Sequence, residues 1–474
     1  MGFKGNFNSR ARVGRGSVLF CVGGRVRRTS GSASRLCSCR DQQGLKPCLR
    51  RPLFDGNTPS WYHRPCKDAT TGSDRPMLPD LIPGPPLPWE VEPPNHLNTG
   101  RKSLMRIGID ARLVHYTQAG IAQYILQLVS QLANLDTGNE YVILQHRKDK
   151  APLVQRPNFR RHSVWTPSHH RLEQWTLPAE IRGLRLDLLH SPDFIPPFRR
   201  NCLSVITVHD LAFLLFPQFM TRESANYYGQ IDVAVRNTDH IIAVSQSTSE
   251  DLQRLLGVSE SKISVIYEAA NPLFRPIDDE QAMAAVRQRY GISDEFVLFV
   301  STIEPRKNLP TLFEAFRLLL DRYASGAKLV VVGKLGWLVD DSLAAVERLR
   351  LQKDVIFLQQ VPPEDLLYLY NAARALVMPS FYEGFGLPAL EAMACGTPVI
   401  VSNVSSLPEV VGDAGILVPP RDAEAIAVAM WRVLSDPRLR EEMRAKGIAR
   451  ASCFSWEKAA RQTLEVYHEV MSQT

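Results

Sequence analysis

No uninterrupted apolar run of about 18 residues occurs in this 474-residue chain, so no segment reads as a helix that crosses a bilayer. Cysteine is scarce where the chain has folding capacity. Five of the 8 cysteines, Cys21, Cys37, Cys39, Cys48 and Cys66, precede residue 67, and only Cys202, Cys395 and Cys453 follow. Three scattered thiols make no disulfide framework, which points to a reducing compartment. The GxSxG elbow, the HExxH pair and the GxxxxGK[ST] phosphate loop are all missing, which removes three common catalytic machines. With 45% hydrophobic and 8% aromatic residues, disorder throughout is excluded as well.

The net charge of +7 suggests an acidic partner until it is divided along the chain. Residues 1–104 carry 17 Lys and Arg against 7 Asp and Glu, leaving 39 against 42 for the remainder, which therefore has no bulk pull towards nucleic acid. The first 40 residues lack any acid, and residues 1–104 also hold 12 of the 33 prolines, including the run from Met77 to Pro94. Such composition cannot bury a core, so 1–104 reads as a disordered basic, Pro-rich extension. Its cysteines lack paired CxxC spacing, and its longest apolar patch, Ser17 to Val22, is too short for a secretory h-region. A transit-like or basic anchoring peptide is the minority reading.

From Met105 short β-branched runs alternate with helical patterns, the signature of parallel sheets flanked by helices. One series contains strands at Met105–Asp110, Tyr141–Gln145, Leu186–His190, Ser204–His209, His240–Ser245 and Ile263–Tyr267. A second contains Phe296–Ser301, Lys328–Gly333, Val355–Leu358, Ala375–Pro379 and Thr397–Ser402. The fold class is therefore α/β, with two doubly wound domains over 105–277 and 278–474 and a polar hinge from Asn271 to Arg289. The last helix is free to pack back on the first domain, and the ligand should lie between the domains, outside the carboxyl ends of both sheets.

The chemistry concentrates in Pro379-Ser-Phe-Tyr-Glu383-Gly384-Phe385-Gly386-Leu387-Pro388-Ala-Leu-Glu391. A strand runs into a glycine-containing loop, and Pro388 suits the first turn of the following helix. That puts Gly384 to Gly386 just before a helix N-terminus, where free N–H groups favour an anion such as a pyrophosphate. Glu391 is expected in the first turn and Glu383 just before the helix, each able to accept hydrogen bonds from a polyol. Alternatively, each carboxylate only complements the helix dipole or sits in solvent. Arg306 and Lys307 follow the first strand of the second series, where two cations could neutralise a departing diphosphate without a metal. His209 and Asp210 end a strand of the first series, although a lone histidine there is more often structural. His169-His170 lack a completing acid or Cys shell and read as surface or acceptor-lining groups, and His190 reads as structural.

This pattern resembles the Glu-x7-Glu signature of the retaining glycosyltransferases of family four, nucleotide-sugar enzymes of the GT-B fold. The resemblance extends over nearly all of Met105 to Thr474. It includes Thr302-Ile-Glu-Pro-Arg306-Lys307-Asn308, Gly333-Lys-Leu-Gly336-Trp337, Ser402-Asn-Val-Ser-Ser-Leu-Pro408-Glu409-Val-Val-Gly412 and Phe454-Ser-Trp456. It implies that Glu383 touches donor-sugar hydroxyls, that Gly384, Phe385, Gly386 and Leu387 hold sugar and phosphate, and that Glu391 binds the ribose diol. It also implies that Lys307 faces the leaving diphosphate, that His209 lies near the reacting carbon through its backbone or ring, and that Gly120 belongs to a loop nearing the phosphates. Two departures stand out: Thr302 occupies a position often held by arginine, leaving Arg306 as substitute, and Ala122 stands where glycine is common.

The resemblance implies hexose transfer with retention to a glycan or lipid-linked acceptor, without cofactor or metal. Among relatives it points to mannosyltransferases of surface-polysaccharide assembly, hence to GDP-mannose, with UDP-linked glucose or GlcNAc also open. The implied setting is cytoplasmic, with peripheral membrane contact open and no nucleic-acid partner. The alternatives are a UDP-GlcNAc epimerase of the same fold and a non-catalytic sugar-nucleotide-binding protein.

Overall fold

The structure, a computed structural model, describes residues 104–473 apart from 118–119, 171, 221–224, 226 and 324. The extension assigned to residues 1–104 lies outside the described residues except for Leu104.

Two parallel sheets organise the chain. The first joins β1 (Arg106–Asp110), β2 (Glu140–His146), β3 (Phe159–Val164), β4 (Leu188–Ser191), β5 (Leu203–Val208), β6 (His240–Ala243) and β7 (Ile263–Val265) in the order β3-β2-β1-β4-β5-β6-β7. The second joins β8 (Phe296–Val300), β9 (Lys328–Val332), β10 (Val355–Leu358), β11 (Ala375–Met378), β12 (Val399–Ser402) and β13 (Ile416–Val418) in the order β10-β9-β8-β11-β12-β13. Helices cover both faces, so the strands β4, β6, β11 and β12 are buried at every residue and are mainly apolar, with His190, Ser191, His240 and Ser402 as buried polar exceptions. These are two doubly wound, Rossmann-like domains. Among the described residues no helix is long and apolar enough to cross a membrane.

Two strands escaped the sequence reading, β3 and β13. The join between the domains is also shorter than Asn271 to Arg289. Glu280–Tyr290 is a helix whose Met283, Val286 and Tyr290 are buried, and Tyr290 Oη donates to Asp365 at 2.6 Å within the second domain. Asp279 caps this helix by accepting from the Ala282 amide, so the residues that looked like polar linker are a charged outer helix face.

The final helix, Trp456–Ser472, packs along the helix Gly120–Leu135, and its Trp456, Ala460, Tyr467 and Val470 share a core with Ile107, Tyr124 and Val205 of the first domain. Tyr467 fixes it: its hydroxyl meets His190 Nδ1 at 2.7 Å, while His190 Nε2 meets Thr207 Oγ1 at 2.8 Å. Burial pushes the His190 imidazole down to about 3, so it is a neutral structural group.

Candidate active site

In a doubly wound sheet a crevice opens outside the carboxyl ends of the two strands between which strand order reverses. Here those pairs are β1/β4 and β8/β11. The residues after β8 and β11 meet across the second crevice. Pro305–Lys307 form a single 3-10 turn, and Lys307 Nζ donates to both Glu383 oxygens, at 2.8 and 2.7 Å. Ser380 Oγ donates to Glu383 Oε1 at 2.7 Å. Arg306 Nη1 reaches Glu383 Oε2 at 3.5 Å and the Tyr382 carbonyl at 3.2 Å, and its Nε donates to Glu304 Oε1 at 2.5 Å. Burial would raise the Glu383 carboxyl, but the charges of Lys307 and Arg306 and the two hydrogen-bond donors overcome it, and Glu383 titrates below the ordinary carboxylate range. Lys307 and Glu383, read separately as phosphate and sugar groups, thus form one buried pair, while Arg306 is the more exposed cation.

The loop after Glu383 is built for close approach. Gly384 lies against the His209 carbonyl of the first domain: a Cβ there would stand 1.8 Å from that oxygen. Gly386 has φ +102° and caps the helix Leu387–Ala394, a conformation that L side chains rarely adopt. The Phe385 ring turns inward, packing edge-on against Phe454 at 5.8 Å and tilted against Tyr267 at 6.1 Å. Ser406 Oγ holds the loop by donating to the carbonyls of Glu383 and Phe385 at 3.0 and 2.9 Å. Ser405 accepts from the Glu383 amide at 2.9 Å. Glu391 lies in the second turn of the helix, not the first, because the helix begins at Leu387. Its carboxylate accepts from Tyr370 Oη at 2.9 Å, and burial pushes it up to about 7. Thr302 follows β8, with its methyl turned to Gly336. Gly120 opens the helix Gly120–Leu135 with the Leu387 side chain of the second domain as its neighbour.

On the first domain His209 is occupied at both ring nitrogens: Nδ1 meets Glu268 Oε1 at 2.9 Å and Nε2 meets the Pro192 carbonyl at 2.8 Å. Both partners are acceptors. Burial would lower the imidazole, but the bond to Glu268, its charge and the Pro192 carbonyl reverse the direction, so His209 titrates above its ordinary value. Both ring nitrogens are engaged within the first domain, and the part of His209 that meets the second domain is its carbonyl. Beside it, outside β1 and β4, lies a charged cluster that sequence reasoning missed. Arg112 is gripped by Asp110 through Nε at 2.8 Å and Nη2 at 2.6 Å, and Nη2 also bonds Glu173. His169, expected at the surface or lining the acceptor site, is a largely buried partner of Asp193. Burial opposes its charge, Asp193 restores it, and the His169 imidazole titrates above its usual value. Among the described residues, Glu173 Oε2 and Asp193 Oδ1 are buried without a hydrogen-bond partner. The sequence signals for this cluster were charged residues near the strand ends, too common to single out, and the His169-His170 pair, set aside for want of a completing shell.

The family described as Glycosyltransferase Family 4 matches residues 119–272, and that described as Glycosyl transferases group 1 matches 284–450. The O-antigen chain mannosyltransferase B of Escherichia coli is 33% identical over 380 residues, covering 77% of this chain and 99% of its own. The serotype-specific mannosyltransferase WbdA, also of Escherichia coli, is 31% identical over 242 residues, 50% of this chain but 29% of its own length. Among solved structures, a sucrose-phosphate synthase from Thermosynechococcus elongatus shares the fold with a TM-score of 0.64 at 24% identity, over 78% of this chain and 100% of its own. The chain belongs to glycosyltransferase family 4. It is a glycosyltransferase with the GT-B fold.

Proposed function

We propose that this enzyme transfers mannose from GDP-mannose, with retention of configuration, to a saccharide acceptor during polysaccharide assembly. The similarity to O-antigen chain mannosyltransferase B over 99% of that protein's length carries the choice of sugar and process. The chemistry rests on the cluster of Lys307, Arg306 and Glu383 at the strand reversal of the second sheet. When the glycosidic bond breaks, negative charge grows on the leaving diphosphate, and preplaced cations stabilise that state more than the ground state. In this reading Lys307 and Arg306 supply the charge, Glu383 orients the sugar hydroxyls, Glu391 takes the ribose diol, and the amides from Gly384 to Leu387 receive the phosphates. The His209 carbonyl lies beside the transferred sugar, and its ring holds the strand end in place. The charged cluster around Asp193 and Glu173 faces the acceptor side.

The test is a panel of GDP- and UDP-linked sugars with the purified protein, read by thermal shift and by transfer to mannose-terminated oligosaccharides. GDP-mannose should stabilise most, transfer should require the acceptor and persist in EDTA, and the product linkage should keep the anomeric configuration of the donor. Stronger stabilisation by a UDP-sugar would overturn the donor assignment. Sugar isomerised without any acceptor would make the enzyme an epimerase.

A further inference from the structure

The turn after β8 is locked by its backbone. Ile303 extends the pairing of β8 with β9, its amide donating to the Lys334 carbonyl at 2.9 Å and its carbonyl accepting from the Gly336 amide at 2.9 Å. Pro305 then opens the single 3-10 turn, which the Lys307 amide closes on the Glu304 carbonyl at 3.0 Å. Asn308 leaves the turn at φ +58° and ties it to the residues after β11 and β13, its Nδ2 donating to the Pro379 and Pro420 carbonyls at 2.9 and 2.6 Å. The Arg306 carbonyl accepts from the Phe381 amide at 2.8 Å. The backbones of Glu304 and Arg306, two residues apart, are therefore fixed relative to one another.

On this frame the Arg306 guanidinium has three donor nitrogens, and two of them are held. Nε donates to Glu304 Oε1 at 2.5 Å, while Nη1 reaches the Tyr382 carbonyl at 3.2 Å and Glu383 Oε2 at 3.5 Å. Nη2 makes no hydrogen bond among the described residues; it faces Asp210 Oδ2 of the first domain at 3.8 Å, too far for one. That edge looks into the gap between the domains, with its N–H groups left for an oxygen anion. Lys307 is placed differently, since two of its three donors go to Glu383. Burial alone would lower the Arg306 guanidinium, but the charges of Glu304, Asp210 and Glu383 outweigh it, Glu304 first among them, and hold the group above its ordinary value.

Glu304 is buried, and a carboxylate this close to a cation that meets a diphosphate also repels the diphosphate. Its presence weakens donor binding unless it acts on a group that the reaction needs. An unanchored arginine loses rotamer entropy when it is fixed, and that loss would fall on the transition state. An acceptor on Nε fixes the side chain beforehand and leaves Nη2 aimed where charge develops. We propose that Glu304 is a positioning residue for glycosyl transfer: its carboxylate takes the Nε edge of Arg306 and thereby presents the Nη2 edge to the departing diphosphate. Glu304 itself touches neither donor nor acceptor. The inference rests on the function proposed above, in which Arg306 stabilises that leaving group.

The test is a double-mutant cycle on the full chain, with GDP-mannose as donor and a mannose-terminated oligosaccharide as acceptor. Arg306→Ala should lower kcat about a hundredfold and Glu304→Ala about tenfold to a hundredfold, each with a smaller change in donor KM. Glu304→Ala added to Arg306→Ala should lower kcat no further, because Glu304 then has nothing to orient. Two conservative variants separate reach from charge. Glu304→Gln, whose amide oxygen can accept from Nε in the same geometry, should keep most of the turnover and bind GDP at least as tightly as the native protein. Glu304→Asp keeps the charge but withdraws it by one methylene, so it should lose turnover as Glu304→Ala does, and it takes the place of that variant in the cycle if Glu304→Ala melts early. Additive losses in the double variant would overturn the proposal, because a structural carboxylate acts whether or not Arg306 is present. So would full turnover in Glu304→Asp, or a Glu304→Gln as impaired as Glu304→Ala. If Arg306→Ala kept full turnover while Lys307→Ala lost it, the proposal would fall and the diphosphate role of Lys307 would stand. Failure of the native protein to use GDP-mannose would count against the donor assignment alone, and the cycle would then be read with UDP-glucose, which presents the same diphosphate.

Discussion

Removing Lys307 would leave the buried Glu383 carboxylate with only Ser380 and the more distant Arg306 as partners, since Lys307 contacts both carboxylate oxygens. Breaking one side of a buried pair costs about 3–5 kcal/mol, whereas removing both charges is often neutral. Lys307→Ala should therefore lose stability by roughly that amount and turnover by roughly a hundredfold to a thousandfold, whereas Lys307→Ala/Glu383→Gln should regain the stability but not the turnover. Urea midpoints and single-turnover rates separate the two effects; recovery of both in the double variant would reduce the pair to a structural one. Glu391 poses the opposite case, a carboxyl raised by burial from an ordinary 4.5 to about 7. A raised folded-state value means that its stabilising contribution is complete below 4.5 and lost as pH climbs through about 7. His209, also raised, has the same sign, with its contribution lost above 6.5. Glu391→Gln should thus raise the melting temperature relative to the native protein at pH about 8 more than at pH about 5, while weakening GDP binding. An equal offset at both pH values would mean that the carboxylate is hydrated. The identities of Glu383, Lys307 and Glu391 were readable in the sequence because acids and cations beside a glycine loop are conspicuous. Their pairing was not, because three strands lie between Lys307 and Glu383 in the sequence and the two meet only through strand order.

At the level of elements, the loop between β11 and its helix is rigid within its own domain and tight against the other. Gly384→Ala would place a methyl carbon 1.8 Å from the His209 carbonyl and 2.9 Å from Asp210 Cβ, both across the cleft. Moving the domains apart relieves that clash without unfolding either one. The variant should keep its helix content and its GDP affinity, lose at least about a hundredfold in turnover, and show a larger radius of gyration in solution scattering. A normal radius with collapsed GDP binding would locate the strain inside the second domain instead. The elements themselves were largely legible, because strands buried on both faces leave mainly apolar runs. β3 shows where this fails: Phe159-Arg-Arg-His-Ser-Val164 is buried only at its ends and forms the edge of its sheet, so it has no internal run to detect. β13 is three residues long at the opposite kind of edge, too short for alternation to register.

Across the whole molecule, the two domains are held together by polar contacts that no local sequence pattern specifies. Glu409, part of the Leu407–Val411 helix of the second domain, reaches the first and accepts from the Gln246 and Ser247 amides at 2.9 Å each. These are the first free N–H groups of the helix Gln246–Leu256, so the carboxylate acts as a cap supplied from the other domain. Tyr267 Oη adds a contact to Glu409 at 3.1 Å, and Tyr382 Oη, in the loop after β11, donates to Asp251 of the capped helix at 2.7 Å. One helix of the first domain is thereby tied to both the Pro408-Glu409 segment and the loop that carries Glu383. A helix cap contributes about 0.5–2 kcal/mol, comparable to the free-energy difference that decides whether such domains stand open or closed. Glu409→Ala should therefore shift the unliganded protein towards the open form, increasing its radius of gyration and raising the donor KM about three- to thirtyfold with a smaller change in kcat. Tyr382→Phe should act in the same direction, and the two together by less than their sum, since both free the same helix. If Glu409→Ala left the scattering profile and the donor KM unchanged while lowering the melting temperature, the carboxylate would be a stabiliser of the helix Gln246–Leu256 with no part in closing the cleft.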